Sequence, residues 1–272
     1  FSKAPKHLDS VEAARALATR KMQAAKEDAF AQKQKDLVGL ARNAKEVHLI
    51  STNHPTDPSY DRLWGLHNDA DKDIDAPEAW AQARGDNGFV VAVIDTGVDY
   101  NHPDLIDNAW VNEAELNGLP GIDDDGNGYV DDLLGWDCSG FYGTDDNDPF
   151  PKEGVADNST WAHGTHVAGI LAATTDNDLG MASTAYNGKF ISVKGSRENQ
   201  SGEPGINDGY AGILYAAKAG YYSGTFTIIN NSWGGGGYSA SENSTINTAF
   251  NTYGAILVCA AGNGDDNTGS QE

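Results

Sequence analysis

Residues 89–94 (FVVAVI) form an apolar run without a polar break, the pattern of a strand covered on both faces. Residues 189–194 and 226–230 read as further strands, and 255–259 as another buried one. Helical patterns alternate with them. Residues 163–173 have helical character, 207–219 form an amphipathic helix capped by Gly220, and 241–253 form a helix stopped by Gly254. This alternation predicts an α/β fold with a parallel sheet and right-handed crossovers. Residues 108–160 are rich in Gly and Asp and read as irregular. A loop that long is unusual unless it binds something.

The first 50 residues differ. They hold ten Lys/Arg and six Asp/Glu, a balance of +4, against −26 for residues 51–272. Asp9 and Glu12 form a capping box, and Val11, Ala14, Ala18, Met22 and Ala25 keep one helix face mildly apolar. A short strand is predicted at 45–50 and a linker at 51–60, marked by Asn53, Pro55 and Pro58.

The net charge of −22 disfavours nucleic acid and anionic lipid as partners. It suits calcium or a salty medium, or serves solubility alone. No apolar run of about 18 residues encodes a membrane span. Cys138 and Cys259 are too few for a disulfide scaffold, and Cys259, in an apolar run, is expected to be a buried, inert thiol.

Three residues stand where chemistry is expected. Asp95 follows the first apolar run, where α/β folds place their sites, although Asp-Thr-Gly is also a common turn. His163 opens HGTHVAG and suits a general base held in one tautomer by a carboxylate. His163 and His166 stand three apart, without the i, i+4 spacing and intervening Glu of zinc-binding helices. Asn263, in VCAAGN, can donate to an oxyanion, or be ordinary turn chemistry. A fourth feature is the acidic string from Asp123 to Asp131. Asp123, Asp125, Asn127, Tyr129 and Asp131 offer oxygens on alternate positions, as calcium loops do. Leu134 stands where an EF-hand has its Glu, so the loop needs completion from elsewhere, with Asp132 a candidate.

The strings VAVIDTGVDYNHPDL, HGTHVAGILAA, INNSWGG and VCAAGN occur in that order. Together they resemble the subtilisin-like (subtilase) family of serine endopeptidases, over residues 64–264. The resemblance implies a three-layer αβα sandwich with a mostly parallel sheet, here incomplete and preceded by the helical segment. It implies that Asp95 orients His163, that His163 is the base of an Asp-His-Ser triad, and that Asn263 serves the oxyanion hole. Ser232, Trp233 and Gly234 match the strand that pairs with a peptide substrate. Ala260 and Gly262 match the walls of a specificity pocket that admits large apolar side chains. Asp104, Asn177, Leu179 and Met181 match a calcium site. Residues 1–50 match the tail of an inhibitory propeptide, 51–75 a linker and mature arm, and 76–272 the peptidase domain, with a first helix from Ala76.

One departure matters. The family's Gly-Thr-Ser motif is absent, the sequence ends nine residues past Asn263, and Ser270 lacks the expected context. The chain as given is therefore expected to end before its nucleophile and to be inactive alone. The family's habits imply secretion, a monomer, polypeptide substrates and inhibition by the chain's own propeptide. The competing expectation is a non-catalytic relative that binds peptides.

Overall fold

The computed structural model describes residues 54–85, 88–155, 159–235, 237 and 239–263. The helix and strand expected within residues 1–50 lie outside them. Five parallel strands form one sheet in the order β2-β3-β1-β4-β5. They are β1 (Phe89–Asp95), β2 (Gly135–Asp137), β3 (Lys189–Lys194), β4 (Phe226–Asn231) and β5 (Ile256–Cys259). Among the described residues, four helices of seven residues or more accompany them: α1 (Ala76–Gln82), α2 (His163–Ala172), α3 (Gly209–Ser223) and α4 (Ala240–Asn251).

Side chains of β1 alternate between two cores, because successive strand residues face opposite sides. Val90, Ala92 and Ile94 pack with Ile213, Ala216 and Ala249 of α3 and α4. Val93, with Phe190 of β3, packs on Val167, Ala168 and Ala172 of α2. Helices therefore cover both faces, giving the three-layer α/β architecture.

Several boundaries differ from expectation. The helix predicted to stop at Gly220 runs on to Ser223 and is capped by Gly224 at φ 72°. Gly220 is needed for another reason: a Cβ there would lie 1.7 Å from Thr227 Oγ1, so the helix passes too close to β4 for any side chain. Its start moves to Gly209 because the N–H groups of Asn207 and Asp208 donate to the Gly195 carbonyl. The stretch taken as irregular contains strand β2 and a helical turn, Glu113–Leu116. β5 is not buried. It is the sheet's edge among the described residues, and Ile256 and Val258 are 45% and 49% exposed. Cys259 is accordingly exposed, whereas Cys138 is the buried thiol, and both are free.

Residues 54–75, read as linker and arm, are anchored at Asp57, Tyr60 and Leu66, which are buried. Tyr60 is buried against Trp80, and Ser59 donates its N–H to the Gly180 carbonyl. No helix among the described residues is long and apolar enough to cross a membrane.

Candidate active site

Strand β1 is central, with β3 on one side and β4 on the other, so the strand order reverses at its carboxyl end. Open α/β sheets leave a crevice at such a point. Asp95 ends β1 there and is 1% exposed. Its Oδ1 accepts the Thr96 N–H at 2.8 Å, which fixes the carboxylate.

His163 opens α2 and faces that carboxylate. Its Nδ1 lies 2.9 Å from both Asp95 oxygens, while the ring remains 43% exposed. A carboxylate without a proton only accepts hydrogen bonds, so in a neutral ring these contacts place the proton on Nδ1 and leave the Nε2 lone pair free. The close fit depends on Gly164. A Cβ there would stand 2.3 Å from the Gly97 carbonyl oxygen and 3.0 Å from Asp95 Cβ. The turn is held by Thr96, whose Oγ1 accepts the Gly164 N–H at 3.0 Å and donates to the Trp161 carbonyl at 2.9 Å. His166 does not join His163; it is exposed on the flank of α2.

The stretches expected to bind a peptide lie at the carboxyl ends of β4 and β5, the same sheet edge. Ser232 Oγ accepts from Asn230 Nδ2 at 2.9 Å. Trp233 packs edge-on against Tyr210 and covers Gly209, where a Cβ would lie 2.6 Å from its ring. Gly234 is exposed, as are Ala260, Gly262 and Asn263 beyond β5; Gly262 has φ 86°, a conformation suited to glycine. The Ala260 N–H donates to the Asn231 carbonyl at 3.0 Å, tying the two stretches together.

Both expected metal sites show buried carboxylates. In the first, Asp104 is 3% exposed and accepts Asn177 Nδ2 at 3.0 Å and the Met181 N–H at 2.9 Å. Leu179 donates its N–H to Asn177 Oδ1. Beside them stands Asp57, which sequence reasoning left inside a linker. Its Oδ1 is buried without a partner, and its Oδ2 accepts the Asp176 N–H at 2.8 Å. Burial raises its pKa, and the Asp104 charge adds to the rise. A buried carboxylate oxygen without a donor suits a cation of hard character.

In the second, the converging group is Glu115, Asp125 and Asp132, with ligand oxygens within 4.8 Å of one another. Glu115, from the helical turn, was not foreseen. Asp123 turns instead onto the N–H groups of Gly126, Asn127 and Gly128, and Asp131 onto that of Gly121. Asn127 caps the Tyr129 N–H, and the Tyr129 ring packs against Trp136 and Tyr215. Asp132, fully buried, is pushed up to about 7 by burial, with the Asp125 charge adding, against hydrogen bonds from Tyr215, Asn127 and Asn112.

Residues 86–272 match the model of the subtilase family. The chain belongs to that family. As a subtilase, it is 31% identical over 221 residues to the extracellular basic protease of Dichelobacter nodosus, covering 77% of this chain and 34% of that protein. It is 33% identical over 211 residues to thermitase of Thermoactinomyces vulgaris, covering 77% and 58%. Among solved structures, a protease of Pseudoalteromonas arctica superposes with a TM-score of 0.55 at 30% identity, over 78% of this chain and 60% of that one. The subtilase chain thus spans about a third of the first relative and less than two thirds of the others.

Proposed function

We propose that the chain carries the acid–base half of a serine endopeptidase. His163 is the general base, and Asp95 holds its tautomer and stabilises the imidazolium without taking the proton. The observation that carries this reading is the pair of 2.9 Å contacts from His163 Nδ1 to a buried carboxylate at the reversal of strand order. No serine among residues 1–272 is assigned the nucleophile's role in this reading. Asn263 donates its amide to the oxyanion. Ser232, Trp233 and Gly234 receive the peptide as an added strand, by main-chain hydrogen bonds that depend little on its sequence. Ala260 and Gly262 wall a pocket for large apolar side chains.

Calcium is the proposed structural cation, held by Asp57, Asp104 and Asn177 at one site and by Glu115, Asp125 and Asp132 at the other. It supplies charge compensation for carboxylates that burial crowds together. Secretion is proposed by likeness to the extracellular relative, and inhibition by residues 1–50 as a propeptide.

The test is peptide hydrolysis by the full gene product. Asp95→Asn is expected to lower kcat about 10⁴-fold, as loss of the correct tautomer does in such triads. His163→Ala should cost at least as much. A loss below tenfold from either substitution would sink the reading.

A further inference from the structure

Loop 195–208 runs beside the candidate site. Its neck is fixed at Gly195, whose N–H donates to the Asp95 carbonyl at 2.8 Å and whose own carbonyl accepts the N–H groups of Asn207 and Asp208. Ile206, beside that neck, shares one side of Gly209 with the Trp233 ring. The base of the loop therefore lies between the Asp95 carbonyl and Trp233. Its tip is held from outside. Trp161, two residues before His163 and 4% exposed, donates its indole N–H to the Gly202 carbonyl at 3.2 Å. Lys152 lies 4.9 Å from the Trp161 ring centroid and donates to the Gln200 carbonyl at 2.9 Å. The Trp161 carbonyl is itself bound by Thr96, which also holds Gly164. One residue thus joins the histidine's turn to the loop tip through opposite ends of its structure.

We propose that Trp161 is a positioning residue that straps the tip of loop 195–208 to the turn bearing His163, and so holds that tip at the rim of the peptide cleft beside His163. The proposal rests on the peptidase reading above. No local pattern in the sequence requires a Trp there; the partners are 41 residues apart.

The decisive variant is Trp161→Phe, which keeps an aromatic ring and removes the indole N–H together with part of the indole's buried bulk. Two measurements on the 272-residue chain test it. The first is amide hydrogen exchange. Loss of one net hydrogen bond should speed exchange across residues 199–206 about tenfold, with β1 and β3 unchanged. The second is alkylation of His163 Nε2 by a peptidyl chloromethyl ketone, in which the new C–N bond displaces chloride, compared with iodoacetamide. Trp161→Phe should raise the half-saturating concentration of the peptide reagent several-fold, leaving its limiting rate and the iodoacetamide rate unchanged. Unchanged exchange at 199–206 overturns the strap. Faster exchange with an unchanged half-saturating concentration overturns its role in the cleft, and so does an equal slowing with both reagents. A wild-type chain that shows no saturation with the peptide reagent overturns the peptidase cleft itself, while the exchange data still decide the strap.

Discussion

Substituting Gly164 by alanine should separate His163 from Asp95. The added Cβ would lie 2.3 Å from the Gly97 carbonyl oxygen, a backbone atom that cannot swing away. An ordinary contact begins at 3.4 Å, so the turn must retreat by roughly 1 Å. That retreat carries the imidazole off a 2.9 Å hydrogen bond to about 3.5–4 Å, where it no longer holds. Overpacking of this kind costs about 1–3 kcal/mol. In a domain of roughly 150–250 residues, that lowers Tm by about 2–12 °C. Gly169, on the same helix, is the control. A Cβ there meets only Met181 Sδ at 3.6 Å, an ordinary contact. Gly169→Ala should be neutral or stabilise by up to about 1 kcal/mol, as alanine does in a helix. Calorimetry gives both Tm values, and the low-field Nδ1–H resonance of His163 reports the bond. The reasoning fails if Gly164→Ala melts within about 1 °C of the parent and keeps the resonance, or if Gly169→Ala is the more damaging of the two.

Asp132 makes stability depend on pH. Its folded pKa is about 7 against 3.8 for the free side chain, so between these values the folded state holds a proton that the unfolded state has lost. Without metal, stability should fall as pH rises from about 4 through 7, and Asp132→Asn should flatten that slope in thermal melts. Calcium at 100 times its Kd should add about 2.7 kcal/mol above pH 7, and chelator should remove it; a Tm indifferent to both ions and chelator would count against either site. Cys259 should react with a thiol reagent in the native chain and Cys138 only on unfolding, since one is exposed and the other buried; no fast thiol would contradict the exposed edge at β5, and two would contradict the burial of Cys138.

Much of the sheet was legible because a strand buried on both faces is written as an unbroken apolar run. Strand β3 was read to both its ends, and β1 and β4 to within a residue. The same signal misled at β5, where an apolar run does not say whether a neighbour lies beside it. Gly220 and Gly224 illustrate a second limit. Either glycine can stop a helix, and only the approach of Thr227 shows that the first serves packing and the second the cap. Asp95 and His163 were legible, though 68 residues apart, because each sits in a motif of distinctive small residues. Asp57 and Glu115 were not. One lies in a segment that reads as linker and the other in a single helical turn, and neither carries a periodic pattern. Their partners are chosen by how distant loops close, which no local spacing records.

The central claim is that a buried carboxylate holds His163 with its proton on Nδ1 and its Nε2 bare. Nitrogen-15 NMR of the ring at alkaline pH reads this directly. The account predicts Nδ1 protonated and Nε2 unprotonated, with the preference lost in Asp95→Ala. A neutral ring that carries its proton on Nε2, or is unaffected by that substitution, would contradict it.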